Sequence, residues 1–146
     1  MTAWLEGTAL ATWVRESPSL LAYPLILTIH TLGLGIVVGA SAVVAFRLLG
    51  FARTIALPSL SPLFQLIWWA FAMNAATGVL LFMADATKKA SQPVFYIKLT
   101  FIGLALCTVV MAKRAAIQNR QSSPVAVTSL LLWTGAITAG RLMAYL

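Results

Sequence analysis

Residues 23–50 read YPLILTIHTLGLGIVVGASAVVAFRLLG. No residue between Glu16 and Arg47 carries a fixed charge, and the run exceeds the roughly 20 residues a helix needs to cross the hydrocarbon core. The segment therefore predicts a membrane span. It also holds His30, the single histidine of the chain, close to Gly33, Gly35 and Gly39.

Three more segments repeat the pattern. Thr54 to Ala84 and Gln121 to Gly140 are free of fixed charge, and Pro93 to Ala112 is interrupted only by Lys98, whose stem can snorkel to the interface. Hydrophobic residues make up 61% of the chain and charged residues 9%, against about a quarter charged in a soluble domain. The expected fold is an all-α integral membrane antiparallel four-helix bundle forming one domain over residues 1–146, with spans at about 18–49, 62–86, 93–113 and 124–145. Ser17-Pro18 and Ser61-Pro62 are cap-plus-proline helix starts, and Lys88 to Gln92 is expected as a polar turn. Residues 2–16 mix Trp4, Leu5, Leu10 and Trp13 with Glu6, Arg15 and Glu16, which suits a short helix lying in the membrane interface. Glu6 stands where a signal peptide would be positive, so this segment is expected to be retained.

The net charge of +7 does not indicate nucleic acid, because the basic residues are scattered at helix ends and not gathered on one surface. Arg47, Arg53, Lys113, Arg114 and Arg120 flank the first and third connections; Arg15, Lys88, Lys89, Lys98 and Arg141 belong to the opposite side. The count is tied at five each. Lys98 and Arg141 lie inside spans, so the loops favour both termini outside a bacterial cytoplasmic membrane. The single Cys107 excludes an intramolecular disulfide and is expected to pack in its helix.

Counted from the outer ends of the expected spans, His30 is 12 residues in, Asn74 is 13 and Trp133 is 13, about 18–20 Å deep. Lys98 and Arg141 are each 5 residues in, about 7–8 Å, and form a basic pair above that layer. A titratable residue at such depth is a functional hypothesis by default. In one reading His30 ligates a metal, foremost the iron of one b-type haem, with Gly33 leaving room for a flat ring and Lys98 and Arg141 pairing with propionates. In a second, His30 hydrogen-bonds Asn74 or a backbone carbonyl across the bundle of a cofactor-free scaffold or small transport component. In a third it relays protons or touches a quinone, although the carboxylates of the chain are peripheral. One histidine cannot supply two axial imidazoles, so the iron would be five-coordinate, or take Met73 or Met83, or share His30 from a second subunit. The small-xxx-small pairs Gly35/Gly39, Gly135/Ala139 and Ala136/Gly140 are expected to serve helix packing within the chain before any homo-oligomer.

The string from Leu27 to Leu34 around His30, then Arg47-Leu48-Leu49-Gly50, Thr77-Gly78 to Phe82, Phe95 with Lys98, and Trp133 to Gly140-Arg141 resembles a family of small, uncharacterised bacterial four-helix membrane proteins. More loosely it is similar to the copper-resistance D type and to haem-bearing membrane anchors of respiratory enzymes. The resemblance implies a bundle with His30 facing inward and favours a b-type haem or an electron-transfer context. The expected role is redox or haem-linked electron transfer, as a subunit of a larger complex. The chain departs from the small family's pattern at Ala45-Phe46-Arg47, where an acidic residue would precede the arginine, and from di-haem proteins by lacking further histidines.

Overall fold

The computed structural model describes residues 2–17 and 22–145, and among them the regular structure is entirely helical. Seven α-helices follow in order: α1 (Thr2–Glu6), α2 (Ala9–Glu16), α3 (Tyr23–Leu48), α4 (Ser61–Met83), α5 (Ala86–Ser91), α6 (Pro93–Ile117) and α7 (Ser123–Leu142), with a 3-10 turn at Leu57–Leu60 leading into α4. The stretches Tyr23–Leu48, Leu57–Met83, Pro93–Ile117 and Ser123–Leu142 are long and apolar enough to cross a membrane. Each long α-helix carries a proline in its first turn, where the missing N–H would have been unpaired in any case.

The expected start of the first span at Pro18 lies outside the described residues, and the described helix begins at Tyr23. The expected interfacial helix is two pieces. Gly7 ends α1, and the Thr8 hydroxyl starts α2 by accepting from the Ala11 N–H at 3.4 Å while donating to the Leu5 carbonyl at 2.8 Å. Residues 88–92, expected as a turn, fall mostly in α5. The second span stops at Met83, short of 86, and the third continues past 113 to Ile117.

α3 packs chiefly on α4 and α6 on α7, and α3 with α7 joins the two pairs. His30 meets Asn74, Thr77 and Gly78, and Gly33 meets Ala70, Met73 and Asn74. Further along α3, Ser41, Val44, Ala45 and Leu48 line a small cavity with Phe64, Ile67, Val109, Ala112 and Ala126. On the other pair, Gly135 lies against Phe101 and Gly140 against Lys98. The core is densest around Leu48 and Ile67, both 0% exposed, with Leu57, Leu60, Phe64, Trp133 and alanines of α6 and α7. The cavity there is about 10 Å³, room for no more than one water molecule.

The small residues divide by face. Gly135 and Gly140 sit under Phe101 and Lys98, with Ala136 and Ala139 buried, so the α7 pairs serve contact within the chain. Gly35 and Gly39 have nothing within 4 Å of where a Cβ would stand, contrary to the expected internal role. They lie on the outer side of α3, opposite the face that carries Gly33, Val37, Ser41, Val44 and Leu48. Cys107 is likewise exposed, not packed.

Candidate functional site

His30 stands on the same face of α3 as Gly33, Val37 and Ser41, at spacings of three and four residues that place it toward α4. Its Nδ1 is 2.9 Å from the Asn74 backbone carbonyl and 3.1 Å from the Thr77 hydroxyl. A carbonyl oxygen only accepts, so Nδ1 carries the proton and donates; in the neutral ring Nε2 is then the bare lone-pair nitrogen. The Thr77 hydroxyl lies 2.9 Å from the Met73 carbonyl and 3.1 Å from that of Asn74, and its own proton goes to these backbone acceptors. Gly78 completes the seat, because a Cβ there would stand 3.1 Å from His30 Cε1. One turn of α4, from Asn74 to Gly78, therefore orients the imidazole.

The residues singled out with His30 divide: Asn74 meets it through its backbone carbonyl, as the second reading expected, while Gly33, Trp133 and Arg141 serve elsewhere. Gly33 leaves no gap for a ring: a Cβ on it would stand 3.2 Å from Met73 Cε and 3.3 Å from Asn74 Cβ, so its small size serves close approach of α3 to α4. Asn74 contributes its backbone carbonyl, while its side-chain Oδ1 is buried without a partner. Trp133 is sealed in the apolar core with its indole N–H unpaired. Arg141 is exposed at the end of α7. Lys98 does approach His30 closely enough to act on it electrostatically, as does Lys89, and its aliphatic stem lies over Gly140. From the described ends of their helices, His30, Asn74 and Trp133 are 7, 9 and 9 residues in, about 10–14 Å and shallower than the expected layer.

The end of the bundle near His30 is tied down by the amino-terminal helices. The Glu6 carboxylate accepts from the Thr87 N–H at 2.6 Å, and this bond holds its carboxyl below the usual range. The Lys89 ammonium donates to the Leu81 carbonyl, and burial lowers its pKa from the ordinary lysine value. Phe82 and Phe95 stack at 5.1 Å between α4 and α6.

No group of three or more His, Cys, Asp or Glu side chains is assembled among the described residues. As a donor, His30 fits the requirement of an axial iron ligand: a metal-binding histidine characteristically donates its other ring N–H to a carbonyl or carboxylate. The residues do not fit a ring laid against Gly33.

Thr77 and Gly78 were not singled out as site residues from the sequence. Their spacing of three and four from Asn74 places them on its face of α4, which is the signal that finds them once His30 is known to face that turn. Arg47 does stand in the last turn of α3, and it is buried there. Comparison with protein families, curated proteins and solved structures finds no match to this chain.

Proposed function

We propose that this chain is a multi-pass protein of the bacterial cytoplasmic membrane, an antiparallel four-helix bundle in which His30 is the axial ligand of one b-type haem, serving electron transfer within a larger complex. The observation that carries this reading is the 2.9 Å contact from Nδ1 to the Asn74 carbonyl. It leaves Nε2 as the ligating atom, and the Thr77 hydroxyl and Gly78 restrict rotation of the ring. The contacts of α3 with α4 and of α6 with α7, with their short connections, support the antiparallel arrangement. Lys98 supplies the positive charge near the site. A haem would contribute one-electron redox chemistry; the chain contributes the donor atom, its tautomer and the apolar surroundings. The cations Arg47, Arg53, Lys113, Arg114 and Arg120 at the other end favour that end as the cytoplasmic one.

A second reading has its own observation. The closure of α3 on α4 at Gly33 favours His30 as a structural clamp in a cofactor-free membrane protein. An interhelical polar contact of this kind contributes about 0.6–2 kcal/mol. Gentle purification followed by an absorption spectrum separates the two. A Soret band that disappears in His30→Ala is the expected result; absence of both a Soret band and bound metal above background rules out the haem reading. A Soret band that persists in His30→Ala would leave the cofactor and remove His30 as its ligand.

A further inference from the structure

Arg47 lies in the last turn of α3 and is 8% exposed. Its Nε donates to the Ile55 carbonyl at 2.6 Å, so the connection after α3 folds back over the guanidinium. Nη1 is buried with no hydrogen-bond partner. Nε is bonded and Nη1 is buried, so an approach from outside is to the third nitrogen, Nη2. A guanidinium stays protonated in proteins, and a buried charge without compensation is strongly destabilising.

The side chains of this chain supply no counter-charge there. Its three carboxylates are Glu6, Glu16 and Asp85. Glu6 bonds the Thr87 N–H, Glu16 pairs with Arg15 at 3.1 Å, and Asp85 follows α4 near Lys89, all at the far end of the bundle from Arg47. The connection that follows Arg47 adds more positive charge and N–H donors around Gly50. The Arg53 guanidinium stands 3.5 Å from where a Cβ on Gly50 would be and donates from Nε to the Gly50 carbonyl at 3.2 Å; Gln121 Nε2 lies on the same glycine at 3.8 Å. Gly50 itself has φ +101°, a conformation that turns the chain sharply beside Arg47 and that L side chains rarely adopt.

We infer that Arg47 binds a phosphate group from outside the chain at its guanidinium, approached at Nη2, with Arg53 of the same connection as the second cation. The planar fork matches two phosphate oxygens, a paired geometry that a single-centre chloride ion or a lone carbonyl does not offer. The group comes from an anionic phospholipid headgroup or from free inorganic phosphate. The lipid source rests on the membrane reading above; the free-phosphate source does not, and neither involves His30.

The test uses the full chain, purified in a phosphorus-free detergent and buffer. Bound phosphorus is counted per chain, and the thermal midpoint is followed while phosphatidylglycerol or inorganic phosphate is added. The expected result is a saturable rise in the midpoint with one of them, with the apparent affinity about ten- to a hundredfold weaker in Arg47→Met. A response to phosphatidylglycerol alone assigns the headgroup, and a response to inorganic phosphate assigns the free anion. If Arg47→Met does not fold, the exposed Arg53→Gln takes its place, and a severalfold weaker affinity is expected. Unchanged affinity in the variant tested, or no saturable response in the wild type, overturns the site. Wild-type protein free of phosphorus but bound to a stoichiometric second polypeptide overturns it in favour of a carboxylate from a partner. A missing Soret band leaves this result untouched.

Discussion

The two ends of the bundle satisfy their polar groups differently. Near His30, the imidazole meets a backbone carbonyl and a hydroxyl of α4, Lys89 meets the Leu81 carbonyl, and Glu6 meets the Thr87 N–H. Near Arg47, the packing is almost wholly apolar, and the buried guanidinium has one carbonyl partner for its Nε and none for Nη1. Backbone carbonyls can complete a neutral histidine; they cannot neutralise an arginine. One end holds the carboxylates Glu6, Glu16 and Asp85 beside its cations, whereas the other holds cations alone and calls for an anion that the chain does not carry.

The contrast breaks most easily at the apolar end. Leu48 is 0% exposed in the densest part of the core, beside a cavity of only about 10 Å³, so neighbouring side chains have little slack with which to refill a void. Leu48→Ala is expected to cost about 2–5 kcal/mol, read as a lowered unfolding midpoint in detergent. A loss below about 1 kcal/mol would mean that this end is looser than the packing implies.

A smaller effect sharpens the distinction between the two faces of α3. Gly33→Ala forces a Cβ against Asn74 Cβ at 3.3 Å, next to the backbone that orients His30, whereas Gly35→Ala enters open space. The first is expected to destabilise through overpacking and the second to stabilise slightly through helix propensity, a difference of about 1–3 kcal/mol in favour of Gly35→Ala. Equal midpoints for the two variants would show that α3 and α4 separate more readily than their contacts imply.

The smallest expected effect concerns pH and the amino-terminal helices. Glu6 has a carboxyl held below its ordinary value of 4.5 by the Thr87 N–H. Its contribution is therefore complete above the unfolded value near 4.5 and is lost as pH falls through the lower folded value. Hydrogen exchange at the Thr87 amide should accelerate over that acid window, after correction for the intrinsic pH dependence of exchange, and Glu6→Gln should remove the excess. A pH-independent difference would show that α1 is held to α5 by packing alone.

Much of this architecture is legible in the order of residues. The runs without fixed charge around His30, Asn74, Phe101 and Trp133 are long enough to predict four spans, and prolines at 24, 62, 93 and 124 fall in the first turns of the four long helices. Composition alone carries this information, because a helix in an apolar medium must satisfy its backbone internally and tolerates few charges. The break at Gly7-Thr8 was also written locally, though the amphipathic pattern on either side of it masked it.

The site was legible only in part. A lone histidine among apolar residues identifies itself, but its partners depend on which turn of α4 lies opposite. Gly33 shows the limit most clearly: the same missing side chain suits a bound ring or a neighbouring helix, and only the position of Met73 and Asn74 decides for the helix. Arg47 shows it from the other side, since a cation at the end of a span is commonplace and its burial comes from the return of residue 55 over it. What the sequence by itself determined is the helical class, the four apolar spans and the imbalance of charge, because these depend on the solvation of each residue. What only the tertiary structure decided is the proton on His30 Nδ1, the use of Gly33 and the isolation of Arg47, because each depends on atoms tens of residues apart in the chain meeting within a few ångströms.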